Sequence, residues 1–595
     1  MLKFPYGIAN FHALITQGYV YIDRTDRIRL LEDTGPTLIL LRPRRFGKSL
    51  LLSTLDNYYD IKRANEFEQL FGHLAIGQNP TPNHNQYFIL KWDFSAMMMH
   101  GDEYALKQAL YDNINASIAN FKAYYQDILT EEIVIYDQNA LRSFHSLNSA
   151  VGLSAHKLYL LIDEYDNFAN EVLTSASDPK RYMALVEGEG MLKSLFKVVK
   201  SALGGGSLER VFITGVSPVA MSDLTSSFNV AENIYLMPEF NDLCGWREDE
   251  VAALLQQVGQ ECSFNPLQIQ NALDTMRTFY NGYSFTYNEK PLIYNPTLTL
   301  YFLKKFQESC QYPREMLDHN LAMDRQKLIY ISQLVNGKVV LANALNEEQP
   351  LIANKLADRF GVREILHYSE DVRSIVSLLY YFGVLTLTEN YTDFGELIFK
   401  IPNLVIKQLY VERIQELLLP TGTEQDQVQQ VARQFYGQGD MGAVCDFIEQ
   451  KYFPLFDNRD YRWTNELNIK TLFMTVLFND IFYIMDSETA LQRGYGDLTM
   501  LVRPNMRRFK LLDFLLEFKY IPLKEIGLSG AEVRALSAEA VRELPLVKAN
   551  LAAAVNQTPA YRQTLEGVYG EKLHLRCYGV VSVGYDRLVW QEILP

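Results

Sequence analysis

Residues Leu38–Asn57 read LILLRPRRFGKSLLLSTLDN, and the order of their parts decides the fold. Four apolar residues, Leu38 to Leu41, have the look of a short buried strand. A tight basic turn follows, then Gly47-Lys48-Ser49, then a helical spacing of apolar residues from Leu50 onward. Strand, loop and helix in that order make a cradle for an anion. Backbone N–H groups at the helix start point at the anion, and the helix dipole favours negative charge there. In such a loop Lys48 reaches the β- and γ-phosphates of a nucleotide, and the Ser49 hydroxyl ligates Mg²⁺. The usual pattern G-x-x-x-x-G-K-[ST] asks for glycine at position 42, where this chain has Arg42. A second half of the site must therefore be found downstream.

That half is KLYLLIDEYDNFAN, Lys157 to Asn170. Leu158 to Ile162 is a buried strand, and Asp163-Glu164 sits at its carboxyl end, where open parallel sheets bind their ligands. Asp163 there holds Mg²⁺, and Glu164 orients or deprotonates a water. Downstream, Gly204-Gly205-Gly206 joins a helix to the strand Val211–Thr214, so Thr214 or Ser217 is placed to sense the terminal phosphate. The candidate nucleotide-binding set is Arg42, Pro43, Arg44, Arg45, Phe46, Gly47, Lys48, Ser49, Leu50, Asp163 and Thr214. The cofactors it calls for are ATP and Mg²⁺.

At 595 residues the chain needs more than one core. Its 48% apolar and 21% charged content is ordinary for globular proteins. With a net charge of −15, contact with nucleic acid must come from a local basic patch. Five cysteines without a C-x-x-C pair argue against a disulfide framework and fit a reducing cytoplasm. No apolar leader opens the chain, and no apolar run is long enough for a bilayer span, so no membrane is expected.

Further short-range readings follow. Tyr19 to Asp23 is strand-like, and Tyr87 to Phe94 is a strand. Residues 101–150, 243–260 and 266–283 are helical. Helix Val372–Phe382, stop Gly383, strand Val384–Glu389 and return strand Gly395–Pro402 give a winged-helix silhouette. Thr421 to Gln430 is polar and reads as a linker; helices Ala443–Lys451 and Glu466–Phe482 come next. The last third holds Asp497 before the apolar run Leu498–Val502, a basic turn Arg503–Lys510, and a strand Leu511–Lys519 ending in Glu517-Phe518-Lys519. Alternation places Glu517 and Lys519 on one face of that strand. If the two runs pair as a hairpin, Asp497 comes near Glu517. Two carboxylates and a lysine then make a Mg²⁺ or Mn²⁺ site suited to phosphodiester hydrolysis, with Glu466 as a further ligand.

These motifs resemble a known arrangement. RPRRFGKS (Arg42–Ser49), Tyr21-Ile22-Asp23, LLIDEYD (Leu160–Asp166), ITGVSPV (Ile213–Val219), YNGYSF (Tyr280–Phe285) and Tyr294-Asn295-Pro296 resemble the AAA-ATPase-like family, in which the missing glycine is usual. Glu466, Glu488, Asp497, Glu517 and Lys519 are similar to the acidic helix, S-E, G-R-x-D and E-x-K elements of the PD-(D/E)XK nuclease superfamily. Two departures stand out: Tyr495 where G-R-x-D has arginine, and Ala554 where a polar residue is frequent.

The resemblance implies three parts: a P-loop AAA-like α/β domain (1–285), a helical, winged-helix-like region (286–425) and a restriction-endonuclease-like α/β domain (426–595). It implies Glu164, Asp497, Glu517 and Lys519 as catalytic residues. Ser49, Asp163, Glu466, Asp497 and Glu517 would be the metal ligands. Nucleic acid is the implied partner, DNA ahead of RNA, in host defence or control of mobile elements. A homo-oligomer in which Arg210 or Arg247 serves a neighbour is left open, as are two rivals: a nucleotide-switched scaffold and an ATPase acting on proteins.

Overall fold

The apolar run becomes β1 (Thr37–Leu41), buried along its whole length. The structure is a computed structural model. It describes residues 1–95, 103–167, 191–218, 230–317, 323–346, 349–357, 371–456, 463–464, 467–486, 498–570 and 573–594. β1 joins β2 (Tyr87–Asp93), β3 (Lys157–Asp163), β4 (Leu208–Gly215) and β5 (Glu232–Asn233) in a parallel sheet ordered β2-β3-β4-β1-β5. Parallel sheets are covered on both faces, which explains why β1 and β3 read as unbroken apolar runs. The register Leu40↔Thr214 and Asp93↔Asp163 brings the carboxyl ends of four strands level, beside the loop after β1.

The helices Glu248–Glu261, Pro266–Tyr280 and Pro296–Ser309 follow this sheet. The winged element has the expected helix, Val372–Tyr381, and the antiparallel pair β7 (Thr386–Tyr391) and β8 (Leu397–Lys400). A third strand, β6 (Leu351–Ala353), completes it in the order β6-β8-β7. The last domain is a mixed sheet ordered β13-β12-β11-β10-β9. Its strands are β9 (Tyr483–Asp486), β10 (Leu498–Val502), β11 (Asp513–Ile521), β12 (Leu575–Val583) and β13 (Arg587–Ile593). β10 and β11 pair antiparallel, whereas β11 and β12 run parallel. A parallel pair needs a crossover, and it includes the helix Pro545–Tyr569. Ala554 of that helix faces Gly579 of β12 so closely that a Cβ on Gly579 would lie 2.9 Å from Ala554 Cβ. The contact has no room for a longer side chain at either position.

Four expectations change. Tyr19–Asp23 joins no ladder: the N–H groups of Tyr19 and Val20 go to the carbonyls of Leu14 and Lys3, and the Asp23 carboxylate accepts the N–H groups of Thr25 and Ala75. The polar stretch after Thr421 is the helix Gly422–Gln438, opened by a Thr421–Glu424 capping box. Val428, Ala432, Phe435 and Tyr436 are its buried stripe, and Phe435 stacks on Phe514 at 4.0 Å. The helix expected over Glu466–Phe482 is confined to Ile469–Leu477, and Tyr483 to Asp486 becomes the edge strand β9. Cys262 and Cys310 form a disulfide, where unpaired thiols were expected. They cap the carboxyl ends of two neighbouring helices, an adjacency that a separation of 48 residues hides.

One apolar core runs without a break from Phe11 through the first sheet to Leu588 in the last. Its polar counterpart is Arg503, fully buried at the end of β10. Its guanidinium donates to the carbonyls of Pro313 (2.8 Å), Arg314 (3.0 Å), Asp480 (2.8 Å) and Ile481 (3.2 Å). Burial pulls its pKa down from the usual arginine value. The expected basic turn thus begins with a residue that ties the last domain to the loop after Pro296–Ser309.

Candidate functional site

Gly47 has φ +94°, a conformation that glycine adopts freely, and no atom lies within 4 Å of where a Cβ would stand. It opens the 12-residue helix Lys48–Tyr59, which has no side-chain cap, so its first N–H groups face the loop. Lys48 is 4% exposed and donates to the carbonyls of Arg42 (3.0 Å) and Pro43 (3.1 Å). Burial lowers its pKa, while Glu164, Asp163 and Asp166 pull it back up.

Both oxygens of Asp163 accept from hydroxyls: Ser49 donates to Oδ2 at 2.6 Å and Thr214 to Oδ1 at 2.5 Å. Glu164 has φ +51°, and its pKa is raised by burial against the pull of Lys48 and Arg44. Asp166 accepts from the N–H groups of Val216 and Ser217 and from the Ser217 hydroxyl. Thr214, of the two sensor candidates, is therefore the one beside Asp163, and Ser217 serves the strand end.

The loop residues divide by role. Arg44 donates to Asn167 at 2.9 Å. Phe46 is buried edge-on against Tyr283 and Phe285, so the loop is anchored by the YNGYSF stretch. Arg42 is 1% exposed, donates to the carbonyls of Leu41, Tyr235 and Phe240, and lies 4.2 Å from the Phe285 ring. Burial brings its pKa down to about 10. Its side chain braces the loop from behind, and only its carbonyl, through Lys48, takes part in the cradle.

Pro43 abuts Gly383, where a Cβ would come within 2.7 Å of the proline ring. Thr297 donates to the carbonyl of Arg45 at 3.0 Å. The sequence did not single out Thr297; it lies in the first turn of the helix that Pro296 begins and Asn295 caps. A cavity of about 300 Å³ adjoins the loop, lined by Lys48, Ser49 and Glu164 together with Tyr21, Leu243 and Trp246. Hard oxygen donors, a buried ammonium, free helix amides and an apolar chamber together fit a Mg²⁺–nucleotide. Leu50 lines the same cavity. Arg247 is committed to Asp242, Asp249 and Glu250. Arg210, on β4 (Leu208–Gly215), pairs with Tyr159 of β3.

In the last domain Glu517 is 4% exposed, and Lys519 donates to its Oε1 at 2.9 Å. Leu498, the first described residue of β10, pairs with Leu516, next to Glu517. Glu466, Glu488, Tyr495 and Asp497 lie outside the described residues. Among the described residues no group of three or more His, Cys, Asp or Glu side chains could hold a metal. One carboxylate and one ammonium of the expected set are therefore placed, and both suit a hard cation beside a phosphate. Asp513, unremarked in the sequence, is fully buried and takes both Nη atoms of Arg507, at 2.8 and 2.9 Å, which fastens the turn between β10 and β11. Among the described residues no helix is long and apolar enough to cross a membrane.

Residues 5–225 match the family model described as predicted AAA-ATPase, and residues 464–587 match that of the PD-(D/E)XK nuclease superfamily. A curated relative from Azotobacter chroococcum mcd 1, described as an uncharacterized protein in the vnfD 5' region, is 26% identical over 312 residues. That match spans 51% of this chain and 52% of the relative, about half the length of each. A Walker-type ATPase of Pyrococcus abyssi is similar over 66% of this chain and 96% of its own, at 13% identity and a TM-score of 0.37. The ORC2 protein of Aeropyrum pernix is similar over 66% and 92%, at 13% identity and a TM-score of 0.31. Likenesses of that size bear on neither fold nor function. The loop and the acidic strand end lie inside the first matched segment and the E-x-K strand inside the second, so residues 5–225 are an AAA-ATPase-like P-loop domain and residues 464–587 a PD-(D/E)XK nuclease-superfamily domain.

Proposed function

We propose that this protein is a nucleotide-governed nuclease. ATP held and hydrolysed at the loop after β1 controls metal-dependent cleavage of nucleic-acid phosphodiesters at β11, with DNA ahead of RNA as substrate. The observation that carries this reading is the buried Glu517 carboxylate with the Lys519 ammonium 2.9 Å away, in a domain whose core is continuous with the ATPase sheet. A divalent cation, when bound, supplies charge neutralisation at both sites.

The chain's own residues do the rest. Lys48 and the amides of the Lys48–Tyr59 helix grip phosphate oxygens. Ser49 and Asp163 offer oxygens to the cation, and Thr214 orients Asp163. Glu164 takes the proton of the attacking water. At β11, Glu517 with Asp497 and Glu466 would hold Mg²⁺ or Mn²⁺, and Lys519 positions the phosphate or the water. The setting in defence or mobile-element control rests on the family resemblance alone.

The test is incubation of the full chain with DNA and with RNA, in Mg²⁺ or Mn²⁺, with and without ATP. Lys519→Ala and Glu517→Gln are each expected to lower cleavage roughly a hundredfold or more. Cleavage that survives both substitutions refutes the assigned site, and binding without cleavage under either metal favours a scaffold.

Glu164 gives a pH signature. Its folded pKa is raised above the ordinary value of 4.5, so the carboxylate is lost as pH falls through that raised value. ATP turnover is expected to decline on the acid side at a pH above 4.5, with nucleotide still bound. Glu164→Gln should abolish turnover at every pH and leave nucleotide affinity within a few-fold. A phosphate-release assay across pH checks both, and an acid limb that persists in Glu164→Gln would disprove the assignment.

A further inference from the structure

A second cavity, larger than the nucleotide chamber at about 690 Å³, lies between the helices Pro266–Tyr280 and Pro296–Ser309 and the turn that joins β10 to β11. Its walls carry Tyr312, Phe482 and Phe509 among the aromatics, Gln268 among the amides, and Arg314 and Arg508. None of its lining residues is an aspartate or glutamate, in a chain with a net charge of −15. Arg314 and Arg508 are exposed, and neither has a carboxylate within ion-pair distance among the described residues. Phe509 is 51% exposed, an expensive place for a phenyl ring, and the Arg508 guanidinium lies 5.0 Å from its centre. The disulfide between Cys262 and Cys310 fixes one wall, and buried Arg503 fixes the other.

We propose that this groove binds an unpaired stretch of nucleic acid, whose bases stack on Phe509 and Phe482 while Arg314 and Arg508 take its phosphates. Rings that accept any base face, amides that meet base edges and cations that track a backbone are what a single strand requires. An open groove in which the cations outnumber the acids is also the local basic patch that an acidic chain needs to hold a polyanion. The groove is separate from the E-x-K pair. The turn enters β11 at Asp513, and Glu517 lies about 13 Å further along the strand. A strand seated here would be held upstream of the Glu517–Lys519 pair without touching it. This inference rests on the reading that the protein handles nucleic acid.

The experiment is fluorescence anisotropy of the full chain with a labelled 12-nucleotide oligothymidine, a matched duplex and AMP, in EDTA so that no cleavage occurs. Oligothymidine is expected to bind more tightly than duplex. Phe509→Ala should weaken it roughly tenfold. Arg314→Ala and Arg508→Ala should each lower the slope of log affinity against log salt by about 0.7. All three positions are on the surface, and a thermal melt verifies that each variant is folded. If oligothymidine binds the three variants as it binds the wild type, the groove proposal fails while the nucleic-acid reading stands. Binding of AMP alone, or equal loss of duplex and single strand, also overturns it. If the wild type binds no nucleic acid in any form, the broader reading falls with it.

Discussion

Lys48→Ala is expected to weaken nucleotide binding by about two orders of magnitude. The ammonium is buried and donates to two carbonyls of its own loop, and Glu164, Asp163 and Asp166 surround it. A charge-assisted hydrogen bond is worth about 1.5–3 kcal/mol, so losing two grips on a phosphate costs about 3 kcal/mol or more. The substitution also removes the cation that Glu164, Asp163 and Asp166 face. The fold should survive, because the loop keeps its anchors through Phe46, Arg42 and Thr297. Calorimetric titration with a slowly hydrolysed ATP analogue in Mg²⁺ gives the answer. An affinity within threefold of the wild type would remove Lys48 from the site.

The second large effect is on stability. Arg503→Met keeps much of the side-chain volume and removes every donor. The buried carbonyls of Pro313 and Asp480 then lose a partner, as do the part-buried ones of Arg314 and Ile481, and each buried unsatisfied group costs about 1–3 kcal/mol. Asp480, whose pKa burial already raises, also loses the cation that holds it down. A loss of at least about 3 kcal/mol is expected for the unfolding transition of the last domain, read from urea melts. Proteolysis should open first in the loop at 311–317. A variant within about 1 kcal/mol of the wild type would show that these carbonyls find water instead.

Where the sequence was legible, one physical signal dominated its neighbourhood. β1 and β3 were plain because a doubly covered strand leaves no polar residue inside the run. Gly47-Lys48-Ser49 and Asp163-Glu164 were visible because each directly follows an apolar strand, a local signal; that Ser49 and Thr214 both meet Asp163, 114 and 51 residues away, is settled only by the sheet. The course of Arg42 was hidden: its side chain turns to the back of the loop, toward Tyr235, Phe240 and Phe285, none of which lies near it in the chain. The Thr421–Glu424 capping box was visible but outweighed by the polar residues around it, which form the outer face of the helix. The Cys262–Cys310 bond, Thr297 on Arg45 and Arg503 in its ring of carbonyls all depend on how distant segments pack. No local pattern announces such contacts.

The helix Pro296–Ser309 has a consequence for how such chains can be recombined. Its first turn leans on the phosphate loop, and the segment leaving its last turn supplies the oxygen lining around Arg503. Fourteen residues, about 21 Å of helix, thus act as a strut between the P-loop domain and the last domain. The natural seam of the molecule is therefore not at the junction near residue 425. A graft that swaps tails between relatives must carry the strut's far end along with the tail, because lock and key sit on opposite sides of the obvious cut.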